Sequence, residues 1–338
     1  MDLISHHLYC LYVKNVINIL LLIFLFACSK RDAVVDFKHV YVYTSPEDRP
    51  LIENVINKEL FDYKYHTPEA EYRYQPIWKT YEDFLNRPNN SKLMLISLRT
   101  PIDTTIDIIS NHLISQFNIK ESAFLVEDYF NTNQILMFFN YDDINEFNND
   151  LISHKNWILS TIANNEENNL EKIAYRSGRN NDIELKISKE FKSNIKIPMD
   201  YQILNHSDSS KYLWIGRGYP YRWILLFEDN KEYYITPNLA WSRLSDKFNN
   251  ILDVKIFDYE AIFSNNPMEI HGVYGTKLTS ENNTGGPFFS KIIKDYKIGK
   301  VLVASGFVNF PGKSKVFHIK ELEHILNNIE YKGGNNYE

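Results

Sequence analysis

An uncharged apolar stretch near the N-terminus constrains this chain most, because it separates a leader from the part that folds. Val16–Ala27 reads VINILLLIFLFA, without a charged residue, and Lys14 precedes it. A membrane-spanning helix needs about 20 apolar residues, whereas the apolar core of a signal peptide has roughly 7 to 15. The sequence therefore predicts a signal peptide over residues 1–27.

The stretch ends in a pattern typical of lipid-anchored bacterial proteins. Leu25-Phe26-Ala27-Cys28 resembles a lipobox, although Phe26 is larger than the residue usual at its position. The alternative is an uncleaved membrane anchor with an incidental cysteine. We predict lipidation at Cys28, since two or more acyl chains give firm attachment to a membrane. Neither an Asp directly after Cys28 nor an acidic run follows. We therefore expect the outer membrane, facing the periplasm, with surface exposure left open.

Cysteine count and charge exclude several classes of chemistry. Only Cys10 and Cys28 occur, and Cys10 lies within the predicted signal peptide. The sequence therefore predicts no disulfide, no cysteine-based metal site and no cysteine nucleophile. The formal net charge is −6, so nothing indicates the basic surface that binds nucleic acid.

Strand-like and helix-like patterns alternate along the rest of the chain. A length of 338 residues suggests about two domains, because single cores stop growing beyond roughly 250–300 residues. We predict an α+β fold of two strand–helix units, with mostly antiparallel sheets covered by helices. Asn-rich runs such as NNEENN indicate solvated loops. The predicted divisions are a tether at 28–36, an N-terminal α+β domain at 37–163, a helical linker at 164–194, a C-terminal α+β domain at 195–332 and a disordered tail at 333–338.

Caps and periodic apolar residues bound several elements. Ser45-Pro46 predicts a helix start, with Ser as the N-cap and Pro at the first helical position. The other elements used below are a hairpin of Ala123–Tyr129 and Gln134–Asn140, and helices at Asp142–Ile162, Pro237–Leu252 and Lys320–Ile329.

The stretch GFVNFPGKSK, Gly306–Lys315, invites comparison with the phosphate-binding loop G-x-x-x-x-G-K-[ST]. Five residues rather than four separate Gly306 from Gly312, and Pro311 lacks the N–H group that would help to cradle a phosphate. We also expect Lys315–His318 to continue as extended chain instead of opening a helix. The pattern predicts a strand that ends in a Pro-Gly turn, and no nucleotide cofactor.

The densest polar and aromatic cluster is GRGYPYRW, residues 216–223. Arginine binds carboxylate or phosphate through a bidentate fork and stacks on aromatic rings. Four residues are candidates for ligand or partner binding, in a pocket for an anionic or glycan group: Arg217, Tyr219, Arg222 and Trp223. The alternative is a strand–turn–strand whose arginines pair with acids of this acidic chain.

Other patterns indicate structure more than chemistry. Gly285-Gly286-Pro287 predicts a tight structural turn, because glycines accept positive φ and proline sets the exit. His318, Glu321 and His324 lie around the last predicted helix. A metal pair is conceivable there, but no third ligand is evident and a solvated helix face is the simpler interpretation. We predict no catalytic residue, no metal site and no cofactor.

Glycine, proline and aromatic residues form a distinctive series in the C-terminal half. The residues concerned are Ile197-Pro198 to Tyr201, Arg217, Pro220, Arg222, Trp223, Gly272-Val273-Tyr274, Gly285-Gly286-Pro287-Phe288, Gly306–Pro311, Lys315 and Leu322–Leu326. They resemble an uncharacterised bacterial envelope lipoprotein family, domain of unknown function 4837, best over residues 270–326. The aromatic residue after Gly272 is displaced by one position. The resemblance implies a lipid-anchored protein of unknown role and supplies no catalytic residues.

These observations predict a lipid-anchored cell-envelope protein with a non-enzymatic binding or scaffolding role. Its expected partners are the membrane and either another envelope protein or an anionic ligand. The alternative is an envelope-acting hydrolase, or another enzyme, with a dispersed active site. A deep polar cleft with two acids or a His–acid pair would favour the enzyme, and a broad shallow face around Arg217 and Arg222 would favour the binder.

Overall fold

Two large sheets, one in each half of the chain, organise the fold. The computed structural model describes residues 30–98, 104–262, 268–276 and 285–331, so the predicted signal peptide, Cys28 and the predicted tail lie outside the described residues. The strands are β1 His39–Tyr43, β2 Lys64–Tyr65, β3 Glu71–Tyr72, β4 Gln75–Lys79, β5 Lys92–Leu98, β6 Ala123–Glu127, β7 Ile135–Tyr141, β8 Ser193–Asn194, β9 Gln202–Ser207, β10 Tyr212–Arg217, β11 Tyr221–Asn230, β12 Val254–Ile262, β13 Met268–Thr276, β14 Gly285–Lys297, β15 Lys300–Asn309 and β16 Glu330–Tyr331. The helices are α1 Arg49–Val55, α2 Tyr81–Leu85, α3 Thr104–Phe117, α4 Ile144–Ala174, α5 Asn181–Phe191, α6 Pro237–Leu252 and α7 Val316–Asn327, with a π-helical turn at Ile56–Leu60 and a 3₁₀ turn at Lys231–Tyr234.

The N-terminal sheet is largely parallel and is covered on both faces. Its strand order is β4-β1-β5-β7-β6, and only β6 runs antiparallel to its neighbour. Helix α4, α1 and the π-helical turn pack on one face, while α2 and α3 pack on the other. Strands β5 and β7 are buried along their whole length, as expected for parallel strands between two helical layers.

The C-terminal sheet has seven antiparallel strands in the order β12-β13-β14-β15-β11-β10-β9. Helix α6 packs on one face over the rings of Phe248, Phe288 and Phe307, whose centroids lie 4.9 to 5.7 Å apart. Helices α5 and α7 pack on the other face. The predicted α+β fold with mostly antiparallel pairing is therefore confirmed, and the parallel N-terminal sheet is the local departure from it.

Several elements contact both halves of the chain. Helix α4 runs on to Ala174, past the predicted domain boundary at residue 163 and through the NNEENN run, so the prediction of a solvated loop there is wrong. The β2–β3 hairpin of the first half places Tyr65 in the core of the second half. The segment expected as a tether also pairs locally, since Ala33 N–H donates to Thr132 O over 2.9 Å. The division into domains stays a prediction.

Helix α1 is assigned from Arg49, one turn after Ser45. Ser45 nevertheless makes the bonds of an N-cap, because its hydroxyl accepts from Asp48 N–H at 2.9 Å and its carbonyl oxygen accepts from Arg49 N–H at 3.2 Å. A further local prediction is wrong. Helix α7 begins at Val316, so Lys315–His318 is not extended chain. The predicted strand end and Pro-Gly turn before it are confirmed, because β15 ends at Asn309 and a turn follows. Among the helices of the described residues, none has the length and hydropathy needed to cross a membrane.

The predicted tight turn at Gly285-Gly286-Pro287 is also wrong, because these residues open strand β14 and pair with β13. A Cβ atom on Gly285 would lie 2.1 Å from Tyr274 O, and one on Gly286 would lie 2.0 Å from Val308 O. Both distances are far inside van der Waals contact. The glycines therefore serve a close approach of backbones between neighbouring strands, and not positive φ.

Candidate functional site

Helix α7 joins the two halves and carries an unusual set of buried polar side chains. It packs on β15 and β11 of the second half and on α4 of the first half. His318, Lys320, Glu321 and His324 are each at most 8% exposed. The prediction of a solvated helix face here is therefore wrong, because α4 covers Lys320 and His324 while strands β10 and β11 cover His318 and Glu321. Within the described ranges, no group of His, Cys, Asp and Glu side chains could hold a metal ion.

The two predicted arginines meet on this helix. Arg222 and Arg217 are cross-strand neighbours on β11 and β10, and both donate to Glu321, Arg217 over 3.2 Å and Arg222 through a closer contact. Arg217 also pairs with Asp200. Arg217 and Arg222 therefore pair with acidic residues of the same chain, as in the alternative considered from the sequence. Burial raises the pKa of Glu321, and the two guanidinium groups oppose this rise.

His318 completes the group. Arg222 Nη1 donates to His318 Nδ1 over 2.9 Å, and since arginine has only donors, this ring nitrogen must be the unprotonated acceptor. The rings of Phe310 and Phe317 lie 5.1 Å from the imidazole. Burial, with the charges of Arg222 and Arg217, lowers the pKa of His318 from 6.5 to about 4. His318 is therefore neutral at pH 7.

The other two predicted binding residues lie elsewhere. Trp223 points to the opposite face of the sheet, where its ring is 5.9 Å from that of Tyr274, because side chains alternate along a strand. Tyr219 lies in the β10–β11 turn, 62% exposed, with its ring 5.3 Å from that of Phe310. The structure thus brings Arg217 and Arg222 together and does not bring Trp223 to them. Binding by the four residues stays a prediction.

A second buried ionic group connects α7 to the first half. Glu166 of α4 pairs with Lys92 of β5 and accepts from Lys320 Nζ at 2.7 Å and from Tyr74 Oη at 3.0 Å. Lys320 Nζ also donates to Phe37 O and lies 4.0 Å from the centroid of the Tyr74 ring. Burial, opposed by the charge of Glu166, lowers the pKa of Lys320 to about 7. Burial likewise lowers the pKa of Lys92. Removal of the Glu166 carboxylate would leave the buried Lys92 and Lys320 without a compensating negative charge.

The start of α7 is held by a carboxylate of the first half. Glu71 of β3 accepts from Lys315 N–H at 3.0 Å through Oε1 and from Ser314 Oγ at 2.5 Å through Oε2. A helix N-terminus attracts anions because its first N–H groups lack partners. Here Glu71 takes that position, directly after the GFVNFPGKS stretch. The helix start that follows the phosphate-loop-like stretch is therefore occupied by the protein's own carboxylate.

Tyr74 also forms the wall between two open clefts of the first half. The first cleft, about 720 Å³, lies between the π-helical turn and α4 and is lined by Tyr63, Arg73 and Lys155. The second, about 610 Å³, lies on the other side of the π-helical turn against β4, with Trp78 in its lining. Both volumes are within the range of small-ligand sites, about 300–1,000 Å³.

Tyrosine rings and charged side chains of both signs line the first cleft, with the acids Glu59 and Asp62 beside its cations. The Arg73 guanidinium lies 5.9, 5.8 and 5.7 Å from the ring centroids of Tyr63, Tyr65 and Tyr74. Lys58, which lines both clefts, is exposed. A π-helical turn often marks a functional position, and here the turn separates the two openings. The arrangement can contact a ligand through tyrosine rings and through the exposed ammonium group of Lys58.

Sequence reasoning missed the clefts and the Glu166 group. Their members come from separate strands and helices, and Glu166 lies 74 and 154 residues from its two lysine partners. No motif within a short stretch of sequence contains residues so far apart. One signal was available: α7 has the polar residues His318, Lys320, Glu321, Glu323 and His324 interspersed with apolar ones on every side, a pattern that a one-sided surface helix does not have.

Comparisons with known proteins give distant similarities in structure. No curated protein sequence matches the chain. The Ran-binding protein Mog1p of Saccharomyces cerevisiae is 7% identical, with 41% of this chain and 89% of Mog1p covered and a TM-score of 0.31. CyanoP, the PsbP protein of Synechocystis sp. PCC 6803, is 8% identical over 43% of this chain and 88% of its own, with a TM-score of 0.30. LpqN, involved in cell envelope biogenesis of Mycobacterium tuberculosis, is 13% identical over 40% and 81% of the two chains, with a TM-score of 0.28.

The family comparison concerns the part of the chain that contains α7. Residues 247–328 match the family described as a domain of unknown function, DUF4837. The match includes strands β12 to β15 and the whole of α7. Over these residues the chain is similar to the DUF4837 family, which confirms the resemblance predicted from the sequence.

Proposed function

We propose that this protein is a non-enzymatic binding component of the cell envelope, attached to a membrane through Cys28, and that its ligand occupies the two clefts beside the π-helical turn. The observation that carries the proposal is the cleft pair itself, with ring faces at Tyr63, Tyr74 and Trp78 and the exposed cation Lys58 between the openings. Aromatic rings with a few convergent polar groups are typical of ligand sites.

The buried ionic groups support binding over catalysis. A general acid or base must come within about 2.6–3.2 Å of a substrate atom. Glu321 and Glu166 are only 2% and 3% exposed and are already engaged by arginine or lysine. These groups stabilise the contact between the halves and are not available to a substrate.

One pair favours the alternative, an envelope-acting hydrolase. His271 Nε2 lies 3.6 Å from Glu269 Oε2, and Glu269 is partly exposed. The neighbouring imidazole of His271, with the charge of Lys291, lowers the pKa of Glu269. A His–acid pair of this kind can transfer protons. Turnover of cell-wall or glycan fragments by the wild type that disappears in His271→Ala would favour this function over binding alone.

In-cell crosslinking and co-purification test the binding proposal. We compare the wild-type chain with the double variant Tyr63→Ala, Lys58→Ala, and with Tyr219→Ala as a matched control, since Tyr63 and Tyr219 are both exposed, at 42% and 62%. We expect one dominant partner or ligand to be lost only in the cleft variant. Loss only in Tyr219→Ala would place binding at the β10–β11 turn instead. Full recovery with both variants would refute a role for the clefts.

Fatty-acid labelling tests the anchor separately. In Cys28→Ala the labelled band should disappear, because the thiol that receives the lipid is gone. Labelling that persists in this variant would refute lipidation at Cys28 and leave the cleft proposal unaffected.

A further inference from the structure

The described part of the chain begins against the N-terminal sheet and is bonded to it from its first residue. Lys30 Nζ donates to the carbonyl oxygen of Tyr129 over 3.3 Å. Thr132 N–H donates to Arg31 O at 2.9 Å, and Ala33 N–H donates to Thr132 O at 2.9 Å. The turn between β6 and β7 therefore holds the backbone of this N-terminal segment from its start.

The loop between α2 and β5 holds the same segment a few residues later. Val34 N–H donates to Asn89 O at 2.6 Å, and Ser91 N–H donates to Val34 O at 3.0 Å. This loop is also bonded to the β6–β7 turn, because Asn131 Nδ2 donates to Pro88 O at 3.2 Å. The segment thus lies at the edge of the sheet where the parallel strands β5 and β7 begin.

Covalent geometry limits how far the predicted lipidation site can lie from this edge. Cys28 is two residues before Lys30, and an extended chain spans at most about 3.3–3.6 Å per residue. The Cα atom of Cys28 therefore lies within about 7 Å of that of Lys30, whatever the conformation between them. Acyl chains on Cys28 would consequently bring the membrane surface to the β6–β7 turn.

The surface around this turn has side chains of the kinds found where proteins meet a membrane. The ring of Tyr129 lies 6.1 Å from that of Phe117 and stacks on that of Phe84 at 6.2 Å. Phe117 is 40% exposed and Leu85 is 58% exposed. Burial raises the pKa of Tyr129, and the charge of Arg87 opposes this rise, so the guanidinium group lies near the same ring. Aromatic and apolar side chains with neighbouring cations are typical of the membrane–water interface.

We propose that the surface around the β6–β7 turn lies directly against the bilayer to which Cys28 attaches the protein. This surface, called the anchor face below, comprises Lys30, Leu85, Arg87, Phe117 and Tyr129. The inference rests on the proposed attachment through Cys28, and it adds which side of the molecule meets the lipid. Because the segment is bonded to the sheet from Lys30 onward, no length of free chain after that residue holds the protein away from the membrane.

Charge does not select an anionic lipid for the anchor face. The N-terminal segment, the α2–β5 loop, the β6–β7 turn and the adjoining end of β6 contain three exposed bases and three exposed acids, namely Lys30, Arg31, Arg87, Asp32, Glu127 and Asp128. Opposite charges in equal number give little net attraction to anionic headgroups. The contact should therefore form on vesicles of phosphatidylcholine alone, with the apolar side chains in the boundary between headgroups and acyl chains.

Fluorescence quenching on such vesicles tests the orientation with the full lipidated chain. Leu85→Cys and Phe117→Cys are each labelled with the fluorophore NBD, and the vesicles contain phosphatidylcholine with a nitroxide near the top of one acyl chain. Quenching should be at least about 3-fold stronger at both positions than at Ile235→Cys, since interfacial side chains lie about 5–10 Å into the headgroup boundary. Ile235 is the matched control, because it is 64% exposed and belongs to the second half. Unsubstituted protein measures the labelling of the chain's own cysteines.

A longer connection to the anchor supplies the second measurement. Ten Gly-Ser residues inserted between Ser29 and Lys30 add a mean reach of roughly 17 Å and should lower quenching at Leu85 and Phe117 at least about 2-fold. Flotation with the vesicles, compared with Cys28→Ala, reports attachment separately. In a chain that floats, equal quenching at the three labelled positions or indifference to the insertion would overturn the orientation and leave the anchor standing. A chain that carries no lipid and does not float would overturn both.

Discussion

Protonation of His318 should destabilise this protein in mildly acidic solution. The imidazole accepts a hydrogen bond from Arg222 and lies near Arg217, so a proton on it would add a third positive charge to a group whose carboxylates are the buried Glu321 and the more exposed Asp200. The pKa is lowered in the folded protein. The contribution of His318 to stability is therefore complete above pH 6.5 and is lost as the pH falls from 6.5 toward 4.

The size of the loss follows from the two pKa values. With 6.5 in the unfolded chain and about 4 in the folded protein, lowering the pH from 7.5 to 5 favours the unfolded state by about 2 kcal/mol through this one group. His318→Gln can still accept from Arg222 through its amide oxygen and does not titrate. Its unfolding free energy should therefore decrease by about 2 kcal/mol less than that of the wild type over the same interval.

Urea unfolding followed by tryptophan fluorescence measures the difference. We compare the wild type and His318→Gln at pH 7.5 and pH 5, so that other titrating groups cancel between the two proteins. An NMR titration of the His318 ring provides an independent value for its pKa. Equal pH dependence in the two proteins, or a ring that titrates near its ordinary pKa, would refute the reasoning.

Two further substitutions test the contacts that connect the strands and the halves. Glu166→Ala leaves Lys92 and Lys320 buried without their shared carboxylate and should lower the unfolding free energy by about 3–5 kcal/mol. Chemical denaturation measures this change. A decrease below about 1 kcal/mol would show that the ion group is not a determinant of stability. Gly286→Ala places a Cβ atom 2.0 Å from a neighbouring carbonyl oxygen and should lower the midpoint of thermal unfolding by several degrees. Gly218→Ala is the control, because the space around Gly218 is open, and it should leave the midpoint unchanged. Equal midpoints in the two variants would contradict the close approach of backbones at Gly286.

Local signals made part of the fold predictable. Helix α6 runs from Pro237 to Leu252 as the sequence indicates, because Thr236 caps it through Leu239 N–H and proline fits its first turn. The hairpin of β6 and β7 also lies where its turn residues place it. Such elements depend on residues within a few positions of one another, which a single sequence displays.

Partners distant in the chain made the rest unpredictable. Glu166 belongs to a polar Asn-rich run and is nevertheless 3% exposed, because its lysines come from β5 and α7. The parallel order of the first sheet was equally hidden, since buried strands such as β5 lack the alternation that reveals an antiparallel surface strand. The sequence GRGYPYRW identified Arg217 and Arg222 as a candidate pair. Only the structure showed that Glu321 is the carboxylate that both arginines contact.

The place of α7 near the end of the chain has a consequence for biosynthesis. Glu166 and Lys320 are separated by 154 residues, and translation at about 5–20 residues per second delivers the lysine roughly 10 to 30 s after the carboxylate. During that interval the first half has Lys92 and Glu166 in place but lacks the helix that covers them. A ribosome that stops before residue 316 therefore releases a chain whose first sheet is complete but whose buried Lys92 and Glu166 lack Lys320 as a partner.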